Sequence, residues 1–386
     1  MRIGFYAPLK ATDQGNASGD RAMARQFKQL LANLGHEVTE PCRLRTYDRG
    51  DHRRQNRLAA LGARAADQLQ RRLRQNPPDL WFTYHCYHKA PDVLGPRLAA
   101  DFDIPYVIAE PSHAGHRASG AWAPGYRTAR DSIRTADLCL AMSAVDEAGL
   151  RDIVKEPEAV CRFRPMIDAT SFRNASGQSE VHKQAWRDRF GETDESPTLI
   201  TVAMMRDGAK ARSYGVLFDA LAHLRDKTWK LWVVGDGEAA LAVRAQAEPV
   251  ASRIRWLGRI DDRNQLASLY AAADLFVWPA VDEAYGLVFL EAAAAGLPTV
   301  GGATHGVPEV SDDGVTGLLA PVGDPAAFAD AVAELLADPA RRRMMGRAAR
   351  HKVARVHDLP AASLALADAL DLARKRHEMR ATADGG

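Results

Sequence analysis

The feature that most constrains the fold is an alternation. Apolar runs of strand length recur along the chain with longer helical patterns between them, in two successive series. Such an alternation is the mark of βαβ units, whose strands lie parallel and whose helices cover the sheet. In the first series the predicted strands are 3–7, 80–84, 106–109, 138–142 and 160–163, with a helix over 20–34 stopped by Gly35, where a left-handed C-cap is expected. In the second they are 199–203, 231–234, 254–257, 275–278, 299–301 and 317–320, with helices that include 266–273 and 327–337. A length of 386 residues accommodates two domains, each able to bury its own core. The fold class is therefore α/β, with two doubly wound Rossmann-like domains, 1–173 and 174–358. Residues 174–196 are polar and rich in Ser, Glu and Asp, which marks a linker with a short helix over 183–189. The last segment, 359–386, carries Leu364, Leu366, Leu370 and Leu372 on a helical period and is long enough to return to the first domain. In open α/β sheets ligands sit outside the carboxyl ends of the strands, so the ligand is expected in a cleft between the two domains.

A net charge of +2 gives no global reason to expect a nucleic-acid partner. The four cysteines, Cys42, Cys86, Cys139 and Cys161, include no CxxC, which argues against a disulfide framework or a cysteine zinc site and fits a reducing cytoplasm. The N-terminus has no signal-peptide pattern and no run reaches the length of a membrane span, so a cytoplasmic location is expected. One stretch, Arg43 to Gln75, is strongly basic, with ten arginines against three aspartates. It reads either as a solvated face or as a peripheral contact with anionic lipid, or with an anionic acceptor, at the inner face of the membrane.

The segment from Pro279 to Pro298 carries the chemistry. A strand ending at Trp278 feeds a loop with Glu283, and a helix opens near Gly286, contains Glu291 and ends at Gly296 with Pro298 beyond. The amides of the first turn, Gly286, Leu287 and Val288, form an anion site favoured by the helix dipole, with diphosphate as the natural occupant. Glu291, five residues past Gly286, lies roughly 7 Å further along the axis at ~1.5 Å per residue, so the two carboxylates contact different ends of one long ligand.

Glu283 and Glu291, with seven residues between them and Ala-Ala-Ala-Ala-Gly-Leu-Pro after, resemble the EX7E segment of the retaining GT-B glycosyltransferases of family 4, the glycosyl transferases group 1. Downstream, His305 to Pro321 looks like that family's G-x-P-E-x-x-x-D-G-x-T-G-x-L segment. Upstream, 232–237, Leu257-Gly258 and 272–279 follow its order and spacing, and the resemblance covers nearly all of 197–337 while being looser over the first half. It implies a GT-B fold and metal-independent transfer of a sugar, with retention, from a nucleotide-sugar donor to an acceptor hydroxyl on a glycan, glycolipid or small molecule. No resident cofactor and no metal are expected. Glu283 would contact the donor sugar and Glu291 the ribose hydroxyls, with Tyr285, Gly286, Leu287 and Val288 around the diphosphate.

Charge growing on the leaving diphosphate needs a fixed cation, and no convincing DxD motif appears, since Asp101-Phe-Asp103 precedes a strand. The resemblance places an Arg and a Lys after the first strand of the second domain, where this chain has Arg206, Lys210 and Arg212. The family spacing is five residues and Arg206 to Lys210 is four, which leaves the register open. Gly235 and Gly237 fit a G-x-G-x-x-A turn, but no acidic residue about 20 positions on would hold an NAD ribose, so Gly235 is read as lining the nucleotide pocket. In the first domain the loop with Gly15 and Gly19, followed by Asp20 and Arg21, resembles the family's acceptor-side loop by position. His85 and His88 follow one strand and His113 and His116 the next. Two HxxH pairs are a zinc pattern, whereas the resemblance places a histidine near the donor sugar after the later strand, where Glu110-Pro-Ser-His113 stands. His113 is the candidate there, with His85 and Glu110 on the acceptor side. A sugar-nucleotide epimerase of the same fold and a non-catalytic nucleotide-sugar binder are the competing readings.

Overall fold

The computed structural model describes residues 1–12, 19–283 and 286–384, which form two compact units, 1–164 with 362–386 and 165–361. In the first unit β1 (Arg2–Tyr6), β2 (Glu37–Thr39), β3 (Leu80–Tyr84), β4 (Tyr106–Ala109), β5 (Leu138–Ala141) and β6 (Val160–Arg162) form one sheet in the order β2-β1-β3-β4-β5-β6. Every neighbouring pair in it is parallel. Its helices are α1 (Gly19–Asn33), α2 (His52–Leu73), α3 (Gly95–Phe102), α4 (Ala123–Thr135) and α5 (Ala144–Arg151). All five residues of β3 are buried, and Phe82 stacks on Phe5 at 5.7 Å while Phe27 of α1 packs on both Phe82 and Phe163. A buried aspartate organises this core. Asp92 accepts hydrogen bonds from the Thr83 and Tyr106 hydroxyls at 2.5 and 2.7 Å and from the Leu94 and Gly95 amides, both at 2.8 Å.

In the second unit α6 (Thr170–Ser176) and α7 (Ser179–Phe190) precede a second six-stranded sheet. Its elements run β7 (Thr198–Val202), α8 (Ala209–Ala222), β8 (Lys230–Val234), α9 (Ala240–Gln246), β9 (Ile254–Gly258), α10 (Arg263–Ala272) and β10 (Leu275–Trp278). They continue with α11 (Leu287–Ala294), β11 (Thr299–Gly302), α12 (Val307–Val310), β12 (Gly317–Ala320), α13 (Pro325–Ala337) and α14 (Pro339–Lys352). The strand order is β12-β11-β10-β7-β8-β9, again all parallel. The long helix α15 (Leu359–Asp384) returns to the first unit, where Arg376 donates to the Asp137 carbonyl at 2.9 Å and pairs with Glu156 at 2.6 Å.

Three expectations change. A strand without an apolar run, β2, was not anticipated: its three residues are half-buried or exposed at a sheet edge, so no core demanded the pattern. The polar segment 174–196 is not a linker, because α6 and α7 pack Phe172, Ala175 and Trp186 into the core of the second unit. The chain accordingly passes between units after Arg164 rather than at 173, and returns after Ala361. Ile167 pairs with Asp358, and Asp358 accepts from the Ala169 amide at 3.1 Å and binds Arg173, which ties 165–173 to the second unit. Asp103, with φ of 51°, is the left-handed C-cap of α3 and Asp101 pairs with Arg97, so neither belongs to a DxD site.

Candidate active site

In a doubly wound sheet the loops diverge where the strand order reverses, leaving a crevice at the carboxyl edge. In the second sheet that reversal falls between β7 and β10. The structure places Lys210 and Glu283 in contact there: the Lys210 ammonium, in the first turn of α8 after β7, forms an ion pair with the Glu283 carboxylate, in the loop after β10. Both side chains are mostly buried, at 27% and 19% exposure, and the ammonium also lies 5.5 Å from the centre of the Trp278 ring. The position of Glu283 is fixed by α8. Ser213, on the same face as Lys210, accepts a 2.9 Å hydrogen bond from the Val281 amide and donates to the Ala209 carbonyl.

Backbone strain concentrates in the same place. Ala280 and Asp282 after β10 and His305 after β11 have φ of 53°, 59° and 37°, conformations that cost non-glycine residues of order 1 kcal/mol or more each. His305 lies 3.2 Å from Asp282. Gly302, at the end of β11, admits this loop: a Cβ there would stand 2.0 Å from the Pro279 carbonyl oxygen. Gly286 caps α11 in the left-handed region, with φ of 62°, and the half-buried Leu287 and Val288 follow. A Cβ on Gly286 would meet the Phe289 ring at 2.6 Å.

Glu291 is partly buried one and a half turns into α11. Burial pushes its carboxyl up to about 7, opposed by the nearby Arg263 charge and by a 3.2 Å hydrogen bond donated by Tyr270 of α10. The turn after β8 comes close to the end of β7, since a Cβ on Gly235 or Gly237 would overlap the carbonyl oxygens of Ala203 and Met205 at 1.8 and 2.2 Å. Met205 in turn donates its amide to the Asp236 carbonyl at 2.9 Å. Arg206 is exposed beside this turn. Arg212 is on another face of α8, lining a depression with Asp219 and Gln246, so Lys210 and not Arg212 meets Glu283.

In the first unit the reversal falls between β1 and β3. His85 after β3 and Glu110 after β4 both adopt positive φ, 64° and 56°, and their side chains pair at 3.1 Å. Burial lowers the His85 pKa, but Glu110, Asp20 and Asp146 outweigh it and the net shift is upward. Asp20 pairs with Lys10 at 2.7 Å and Arg21 donates to the Ala11 carbonyl at 3.2 Å. Gly19 opens α1. His113 lies 2.9 Å from the Tyr126 hydroxyl, with burial the main cause of its lowered pKa. His88 packs edge-on against Trp122, and burial together with Lys89, Arg117 and His116 lowers its pKa to about 4. Among the described residues no group of three or more His, Cys, Asp or Glu is placed to hold a metal ion. Gly15 and Tyr285 lie outside the described residues. Sequence reading missed Tyr270 and Ser213, which act through packing from other elements and carry no motif of their own.

This arrangement of two parallel doubly wound units, the second with a cationic and carboxylate crevice at its switch point, defines the GT-B class. Residues 196–338 match the family described as Glycosyl transferases group 1. That segment, the larger part of the second unit, is similar to this family, and the chain has the GT-B fold. It is 30% identical over 221 residues to a D-inositol 3-phosphate glycosyltransferase of Xylanimonas cellulosilytica, covering 56% of this chain and 52% of the relative. It is 31% identical over 194 residues to a GDP-mannose-dependent monoacylated alpha-(1-6)-phosphatidylinositol monomannoside mannosyltransferase of Corynebacterium glutamicum, covering 48% and 49%. The chain therefore spans about half the length of these curated relatives. Among solved structures, Anabaena HepE in complex with UDP superposes with a TM-score of 0.71 at 18% identity, over 96% of this chain and all of that one. No described helix is long and apolar enough to cross a membrane.

Proposed function

We propose that the chain transfers a sugar from a nucleotide-sugar donor to an acceptor hydroxyl, with retention and without a metal ion. The observation that carries this reading is the Lys210–Glu283 pair at the switch point of the second sheet, beside the N-terminus of α11 and with Glu291 further along that helix. Lys210, Arg206 and the amides of Leu287 and Val288 meet the charge that grows on the departing diphosphate, an interaction strongest in the transition state. Glu283 orients the Lys210 ammonium and accepts hydrogen bonds from the donor sugar, and Glu291 accepts them from the ribose. His113 belongs to the donor-sugar end of the first unit, and His85, Glu110, Asp20 and Arg21 to the acceptor. Guanine and uracil donors are the first to test, since one relative is named for GDP-mannose and one structural neighbour is in complex with UDP.

A thermal-shift screen of nucleotide sugars tests the donor, since a ligand at about 100 times its Kd adds roughly 2.7 kcal/mol of stability. Turnover of that donor with acceptor should survive EDTA; loss on chelation, restored by manganese or magnesium, would overturn the metal-free mechanism. Anomeric NMR of the product reads the stereochemistry, and release of an altered nucleotide sugar without acceptor would mark an epimerase.

The acceptor class we infer is one presented at an anionic membrane. Arg53, Arg57, Arg64 and Arg71 are exposed on α2 and, at ~100° per residue, fall within about 40° of one another, opposite the buried Gln55, Gly62, Ala66 and Leu69. Each arginine near an anionic surface is worth about 1 kcal/mol. Flotation with anionic vesicles that persists after all four are changed to glutamine would refute this contact.

A further inference from the structure

The amino edge of the second sheet, opposite the proposed active site, carries a cavity of about 350 Å³. Its floor is the turn 295–298 leading into β11, and its walls come from α7 and α14. The volume falls within the range of small-molecule sites. Gly346 permits the cavity's tight base: a Cβ there would lie 2.1 Å from the Gly296 carbonyl oxygen, so only a glycine lets α14 seat against this turn.

The lining is cationic beyond what its own acids balance. Lys183 and Asp274 neutralise each other at 2.8 Å, and the buried Arg342 donates to the Leu335 and Leu336 carbonyls at the end of α13. Arg343, Arg347 and Arg350 stand at i, i+4 and i+7 on α14, all exposed, with Glu180 the remaining acid in the lining. Arg350 donates to the Ser176 hydroxyl at 3.1 Å, whereas the guanidiniums of Arg343 and Arg347 make no hydrogen bond or ion pair with any described residue. Like charges at such spacing repel. Three guanidiniums within two turns of one helix, lining a concavity with two serine hydroxyls, match the bidentate geometry of phosphate oxygens.

We propose that this cavity binds a small phosphorylated anion, at a site separate from the nucleotide-sugar crevice. Tyr270, whose hydroxyl reaches Glu291, is also among the residues that border the cavity.

Inorganic pyrophosphate is the probe, titrated calorimetrically into the full chain, the Arg343→Gln/Arg347→Gln double variant and Lys210→Ala. The two arginines are exposed, and circular dichroism confirms that the double variant folds. The expected result is an affinity that drops at least about tenfold in the double variant and is retained in Lys210→Ala. Affinity unchanged in the double variant, or lost only in Lys210→Ala, would assign the probe to the crevice and overturn the proposal. The absence of any binding at about 1 mM would overturn it too, including the case in which only anionic vesicles are bound through these arginines.

Discussion

The two sheets have six parallel strands each but reverse their order at different places. The first runs 2-1-3-4-5-6, and the second, counted from its own first strand, runs 6-5-4-1-2-3. Both reversals open a crevice at the carboxyl edge, yet the side chains gathered there differ in sign. Around the first, Asp20, Glu110 and Asp146 surround one histidine, a set that accepts hydrogen bonds from hydroxyls. The second has Arg206, Lys210 and a helix N-terminus, a set that donates to phosphate oxygens. One fold used twice thus offers complementary chemistries, because the scaffold sets only where a ligand sits and the loop residues set what it is.

The largest test of this division is Lys210→Ala. It removes the cation paired with Glu283, and turnover of the selected donor should fall about 10²- to 10³-fold, as for loss of one transition-state donor. A variant with unchanged kcat would mean that the second crevice does not stabilise the leaving group. Next comes Glu291→Ala, expected to weaken free nucleotide and nucleotide sugar alike by about 1.5 to 3 kcal/mol, whereas Glu283→Ala spares the free nucleotide. Equal losses of free nucleotide in calorimetry of the two variants would erase the separation of ribose and sugar ends.

The same carboxylate predicts a pH dependence. With its pKa pushed up to about 7, Glu291 is only part-ionised around neutrality, so nucleotide affinity should climb as pH rises through that value and should be flat in Glu291→Gln. Its effect on folding has the opposite sign. A raised carboxyl pKa favours the folded state at low pH, and that contribution is lost as pH rises from the ordinary glutamate range to about 7.

His85→Ala probes the first crevice. It should lower turnover about tenfold while leaving the Kd of free nucleotide unchanged, and a parallel loss of nucleotide affinity would show that the two crevices do not divide the ligands as described. The smallest effect is expected of Tyr270→Phe. Loss of its 3.2 Å hydrogen bond should raise the Glu291 pKa further and cost about 0.5 to 1.5 kcal/mol of nucleotide affinity at neutral pH.

The second unit was far more legible than the first. Its strands, the α11 segment, Gly286 and both glutamates stand on a short stretch of chain where local patterning and helix stop signals act directly. The pairing of His85 with Glu110 was not visible, because the partners follow different strands and meet only when β3 and β4 lie side by side. The spacing of Arg206, Lys210 and Arg212 left three candidates, and the choice fell to which face of α8 turns toward β10. Pro360 stands in the first turn of α15, where a missing amide costs nothing.

What the sequence by itself determined is what repeats or lies close along the chain: eleven of the twelve described strands, the doubly wound class and the glutamates before and within α11. These follow from periodicity and from local backbone preference, which need no distant partner. The tertiary structure decided the rest. It drew α6 and α7 into a core that their polar surface concealed, set Tyr270 against Glu291, and gathered three arginines of α14 over the turn before β11. Each depends on burial and contact between segments far apart in the chain, and a buried neighbour leaves no mark on the residue beside it until packing brings the two together.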